Sequence, residues 1–147
     1  MYMKHTTLLL LRFGMAFIFL WAFVDKTFGL GFATTVEKAW INGGSPTTGF
    51  LTNATQGPLA GLFQSLAGLQ IVDWLFMLGL LFVGLTLLVN KFVKWGSIAG
   101  SVMLFLMYLA VLPPENNPLI DDHIIYIVVL WLLAVESSPK NNEQGIS

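Results

Sequence analysis

The residues best equipped for chemistry stand in one run, Asp121-Asp122-His123, with Tyr126 three positions further on. Imidazole exchanges its proton near neutral pH, and adjacent carboxylates can hold or relay that proton. The same imidazole can hydrogen-bond a quinone carbonyl. In a helix, His123 and Tyr126 share a face. Three consecutive ionisable residues, each turned by about 100°, cannot all point the same way. His123, Asp122 and Asp121 are therefore the candidate catalytic residues. A plainer role competes with this one. The two aspartates suit the positive end of a helix dipole, and His123 could bond Asp25 or Asp73 to hold helix ends together.

The elements that must position these residues are apolar. Of 147 residues, 56% are hydrophobic and 10% charged, against about 25% charged in an ordinary soluble domain. So few charges do not readily cover the surface of a small soluble protein, and lipid removes that need. Net charge is −1, which gives no case for nucleic acid. The chain has no cysteine, so disulfides, thiol redox chemistry and thiolate metal sites are excluded. His5 and His123 are predicted at opposite ends, which leaves no bis-histidine haem pair, and no metal site is predicted. No phosphate loop, dinucleotide fingerprint or zinc-protease motif is present.

Four apolar segments are predicted to be helices: Leu8 to Val24, Ile71 to Val89, Trp95 to Leu112, and Leu119 to Val135. The first follows Lys4 but lacks a small-residue cleavage site, so it reads as a retained helix rather than a signal peptide. The third is stopped by Pro113-Pro114. The fourth is short for a span of about 17–25 residues. Asn117 is its expected N-cap, with Pro118 at the first helical position. Gly96 and Gly100 offer a small-residue face, best used within the chain. The segment from Asp25 to Gln70 is long for a connection; it is rich in Gly, Thr and Asn yet holds Phe28, Phe32, Trp40, Phe50, Leu51, Leu62 and Phe63, too many large apolar residues for a disordered linker. Short helices are expected there, around Thr35 to Ile41 and Pro58 to Leu66. The expected fold is all-α: an integral membrane four-helix bundle over residues 1–135, with a long, partly helical extracytoplasmic loop between the first two helices. A polar tail over 136–147 is expected to be disordered.

With four spans both termini share a side. Lys4, Lys91, Lys94 and Lys140 fall there, against Lys26 and Lys38 on the other, so the positive-inside rule puts both termini in the cytoplasm of a cell-membrane protein. Arg12 could snorkel to that face. Asp25, Lys26, Trp40, Asn42, Asp73 and Asn117 then converge with Asp121, Asp122 and His123 on the outer end. Asp25, Lys26, Trp40, Asn42, Asp73, Asn117 and Tyr126 form the candidate substrate-binding set. Asp25-Lys26 also reads as an ordinary helix end, and Asp73 as a helix-dipole partner.

The sequence resembles the DoxX/DoxD family of small four-helix membrane proteins. The resemblance rests on Arg12-Phe13-Gly14, Trp21-Ala22-Phe23-Val24-Asp25-Lys26, Trp40-Ile41-Asn42-Gly43-Gly44-Ser45-Pro46, Gly49-Phe50-Leu51, Asp73-Trp74-Leu75, Gly84 and Leu112-Pro113-Pro114. Its most specific stretch is Asn116-Asn117-Pro118-Leu119-Ile120-Asp121-Asp122-His123-Ile124-Ile125-Tyr126. The resemblance implies a membrane subunit beside respiratory electron transfer. DoxD-like members serve in thiosulfate:quinone oxidoreductase with a second subunit, DoxA. Quinone is then the expected electron acceptor, and the partners are the bilayer and a second oxidoreductase subunit or respiratory complex. Thiosulfate would have to bind through Lys26 and neutral donors. The alternative is a non-catalytic structural or assembly subunit of a larger respiratory complex; a small-molecule transporter fits less well, since no internal repeat is evident.

Overall fold

The computed structural model describes residues 2–115 and 117–137. The expected disordered tail, with Lys140, lies outside the described residues from residue 138 on, as does Asn116. The described residues form six α-helices: α1 (Tyr2–Phe28), α2 (Thr48–Asn53), α3 (Ala60–Gln64), α4 (Gln70–Val89), α5 (Val93–Ala110) and α6 (Asp122–Glu136). Two single 3-10 turns, Val36–Lys38 and Trp40–Asn42, precede α2.

Three helices, Lys4–Phe28 within α1, Gln70–Val89 and Val93–Ala110, are long and apolar enough to cross a membrane. The outward faces agree with a lipid environment. Phe17, Leu75, Val102 and Val128 are each more than half exposed, an arrangement that water would penalise over so large a surface. The chain is thus compatible with a multi-pass membrane protein. At 15 residues α6 reaches only about 22 Å at a rise of 1.5 Å per residue, short of a hydrocarbon core of about 30 Å.

The long helices pack in chain order: α1 on α4, α4 on α5 and α5 on α6, with α6 returning to α1. The core follows the helical period. Met15, Ala16 and Phe19 of α1 meet Met77, Leu80, Val83 and Leu87 of α4, Val93 and Leu104 of α5, and Leu130 and Leu133 of α6. Apolar side chains gain little by leaving lipid, so fit decides this packing. Glycines let the backbones approach. A Cβ on Gly84 would stand 2.5 Å from the Leu20 Cγ, and one on Gly100 would stand 2.8 Å from a Leu130 methyl. Gly96 is closed off by the Thr86 side chain of α4. The Gly96/Gly100 face is therefore used within the chain, as expected. The Ser97 hydroxyl adds a bond of 2.8 Å to the Leu130 carbonyl across the α5–α6 seam.

The helix ends explain the differences from expectation. α1 runs four residues beyond Val24 and stops at Gly29, which adopts φ +68° against the Thr35 backbone; only glycine takes that conformation freely at a helix end. α4 closes with Asn90 at φ 57° and a 3.2 Å bond from the Lys91 amide to the Thr86 carbonyl, the 6→1 bond of a Schellman cap. α5 ends at Ala110 rather than Leu112, because a residue preceding proline disfavours helical backbone. α6 begins at Asp122, so the expected cap at Asn117 is not formed. Asn117 instead closes its own turn. Its Oδ1 accepts from the amides of Leu119 (3.0 Å) and Ile120 (2.6 Å), and its Nδ2 donates to the Ile120 carbonyl. That local ring satisfies Asn117 before the helix starts, and Asp121 takes over as N-cap.

The segment between α1 and α4 is folded. Leu51 of α2 and Phe63 of α3 are buried with Ala110 in a second small core, flanked by Val72 and Leu109. The helix at Thr48–Asn53 was not anticipated by the sequence; that at Ala60–Gln64 falls inside the expected stretch. This layer covers one end of the long helices. At the other end, Lys4 pairs with Glu136 at 2.9 Å and ties the start of α1 to the end of α6.

Candidate functional site

Two carboxylates fasten the folded layer to the helices. Asp25, in the last turns of α1, is only 1% exposed. Its oxygens accept from the amides of Phe32 (3.2 Å) and Ala33 (2.9 Å), which turns the chain back over the end of α1. Asp73, in the first turn of α4, is also buried. Its Oδ1 accepts from the Ser45 hydroxyl at 2.8 Å, the Thr47 hydroxyl at 2.6 Å and the Thr47 amide at 3.2 Å. The network continues outward. Ser45 Oγ and Thr48 Oγ1 lie 2.7 Å apart, and Thr48 Oγ1 accepts from the Gly68 amide at 3.0 Å. A buried carboxylate is tolerated when donors surround it, and here the donors come from the layer itself.

Lys26 follows Asp25 on α1 and reaches the same loop. Its ammonium donates to the Pro46 carbonyl at 3.1 Å and lies 5.8 Å from the centre of the Phe76 ring. Trp40 and Trp74 meet edge to face with ring centres 4.7 Å apart. Asp73 and these two indoles line a cleft of about 290 Å³ with Gly43, Gly44, Ser45, Gly68 and Gln70. Asn42 stands apart from it; its amide donates to the Val36 carbonyl at 2.8 Å in an exposed turn. In the same turn the Glu37 carboxyl is held below its ordinary range, chiefly by its own backbone amide and then by the Thr35 hydroxyl.

The second group lies at the start of α6. Asp121 Oδ1 accepts from the amides of His123 (3.1 Å) and Ile124 (3.4 Å), while its Oδ2 stands 2.6 Å from His123 Nδ1. A carboxylate accepts, so Nδ1 is the donor in this contact, and in the neutral ring Nε2 is then the acceptor. Asp121, Asp122 and His123 line a cleft of about 520 Å³ with Asn117, Ile120, Ile125, Val111, Pro114, Glu115 and residues Asn53 to Gln56. No Lys or Arg is among the described residues lining it.

The expected single polar cluster is thus divided in two. α2 runs between them, its first residue beside the Asp73 network and its end on the His123 cleft. Six residues of helix span about 9 Å at 1.5 Å per residue. The structure brings Asp25, Lys26, Trp40 and Asp73 to the α1–α4 side, and Asn117, Asp121, Asp122 and His123 to the α6 side. Contrary to the plainer reading of it, His123 bonds neither Asp25 nor Asp73; its partner, Asp121, is two residues back. Tyr126 packs against the main core.

Gln56 has no counterpart among the expected site residues. Its amide donates to the Ala110 carbonyl at 2.9 Å, and its Nε2 donates to the carbonyls of Val111 (3.0 Å) and Pro113 (2.8 Å). Tyr108 likewise donates to the Leu119 carbonyl at 2.7 Å. Of these residues, Gln56 and Val111 line the larger cleft. The proline pair, which leaves the last α5 carbonyls without helical partners, is the signal that such donors are needed. Comparison with protein-family models, curated proteins and solved structures gives no match for this chain.

Proposed function

We propose that this chain is the four-helix membrane subunit of a quinone-linked oxidoreductase of the DoxX/DoxD kind, with α6 as the short fourth span. Both termini lie in the cytoplasm and the folded layer on the outer face. Lys4, Lys91 and Lys94 at the terminal end support that orientation. Asp121 at the head of α6 would sit in the interface, which relieves the shortfall in length.

The observation that carries the reading is the His123–Asp121 dyad, with its 2.6 Å contact, on the wall of the larger cleft. Reducing a quinone takes up two electrons and two protons. His123 Nε2 is the group to bond a quinone carbonyl and to pass a proton, with Asp121 holding the imidazole in one tautomer. Asp122, the third member of the run, is exposed on the same cleft and connects it to water. Electrons come from a small reductant, thiosulfate in the resemblance, oxidised with a second subunit. Lys26 is already engaged by Pro46, and the clefts present carboxylates rather than cations, so an anionic reductant fits the partner better than this chain.

The test is quinone-analogue reduction in proteoliposomes holding the chain and its co-purifying subunit, with thiosulfate as reductant. His123→Ala is expected to lower the rate at least a hundredfold, within the range of general acid–base catalysis. Asp121→Asn should change the pH profile as well as the rate. An unchanged rate in His123→Ala would remove the assignment. The alternative of a non-catalytic subunit is favoured by one observation: Asp121 also caps α6. A His123→Ala chain that assembles normally but turns over normally would support it.

A further inference from the structure

The smaller cleft, between α4 and the loop at residues 43–45, has a chemistry that the quinone reading does not use. Its walls are the indoles of Trp40 and Trp74, the Asp73 carboxylate, the Gln70 side chain and three glycines. Asp73 is 6% exposed, yet no basic side chain among the described residues stands within ion-pair distance of it. Three neutral donors all address its Oδ1, and none is directed at Oδ2. The Lys26 ammonium is taken up by the Pro46 carbonyl and the Phe76 ring and makes no ion pair with Asp73.

A buried carboxylate without a counter-cation attracts positive charge from whatever enters beside it. Aromatic walls add to that attraction, because an indole presents a negative π-face to a cation. Gly43, Gly44 and Gly68 carry no side chain into the space, and a Cβ on Gly44 would collide with the Lys38 carbonyl. Interfacial tryptophans alone would explain Trp74, which is half exposed. They do not explain Trp40, which packs against the main core, meets Trp74 edge to face and lines the same cleft as Asp73.

We infer that the Asp73–Trp40–Trp74 cleft binds a small organic ammonium group, with Asp73 Oδ2 as its anion and the two indoles as its aromatic wall. The position at one end of the long helices admits two sources of that group, a lipid headgroup from the bilayer or a free amine from the water.

Choline titrated onto the full chain in nanodiscs of phosphatidylglycerol, a lipid with no ammonium headgroup, tests the inference by calorimetry. Saturable binding is expected, with the uncharged carbon isostere of choline weaker by about tenfold or more. Asp73→Asn should abolish the preference for charge. Because Asp73 also holds the loop, Trp74→Leu provides the independent variant; that residue is half exposed and should leave the fold intact, yet weaken choline about tenfold. Repeating the titration in phosphatidylethanolamine discs separates the sources. Loss of choline binding there identifies the lipid headgroup, and retention identifies a free amine. Equal binding of choline and its isostere, or unchanged choline binding in Trp74→Leu, would overturn the inference.

Discussion

Replacing Asp73 with alanine removes the acceptor for three donors at once. Thr48 donates to the Ser45 hydroxyl at 2.7 Å; reversal of that bond gives the Ser45 proton a new acceptor, so its loss is partly covered. The Thr47 hydroxyl and amide, in a buried residue, have no second acceptor among the described residues. Each hydrogen bond to a charged group is worth about 1.5–3 kcal/mol. Relief of the buried charge offsets part of the sum. The expected net cost is about 2–4 kcal/mol, felt where the loop meets α4 rather than throughout the helices. At about 1.4 kcal/mol per tenfold, local opening becomes some thirty- to a thousandfold more frequent. Hydrogen exchange in nanodiscs reads this directly. The Thr47 amide should lose protection, while α5 amides around Leu104 keep theirs. Asp25→Ala should do the same to the Phe32 and Ala33 amides and leave Thr47 alone. If Asp73→Ala leaves Thr47 as protected as before, the carboxylate does not fasten the layer and the reasoning fails.

Gly84→Val would drive a side chain into Leu20, 2.5 Å from the added Cβ; overpacking of this kind should cost about 1–3 kcal/mol and lower the melting temperature in detergent. Gln56→Ala strips two side-chain donors from the Val111 and Pro113 carbonyls. It should destabilise the end of α5 by about 1–2 kcal/mol, seen as faster exchange at Val111 with α1 unaffected.

The long helices were legible in the sequence because apolar length is a direct signal in lipid. The spacing of Gly96 and Gly100 marked a face used within the chain; that Gly100 meets Val83 and Leu130 is shown only by the structure. The ends were less legible. Asn117-Pro118 carries every sign of a helix start, but Asn117 satisfies itself in a local turn and Asp121 supplies the cap. Local side-chain bonds of this kind compete with helix formation, and spacing alone does not rank them. The polar end could be predicted as a region, since four helix ends and one loop had to meet there. Its division into two clefts could not, because it depends on where α2 lies. Thr48–Asn53 has no apolar period to announce it; it is held by Leu51 in the second core and by Thr48 against Ser45 and Gly68. The Trp40–Trp74 meeting is likewise tertiary, joining residues from a loop and a helix.

In the proposed function a quinone docks beside His123. An azidoquinone photolabel, applied to the full chain in nanodiscs and mapped by mass spectrometry, tests it most directly. Labelling is expected to be confined to the segments around Asn53 to Gln56 and Ile120 to Ile125, displaced by unlabelled quinone and reduced in His123→Ala. Labelling spread along the lipid-facing residues of α1 and α5, insensitive both to competitor and to His123, would contradict it.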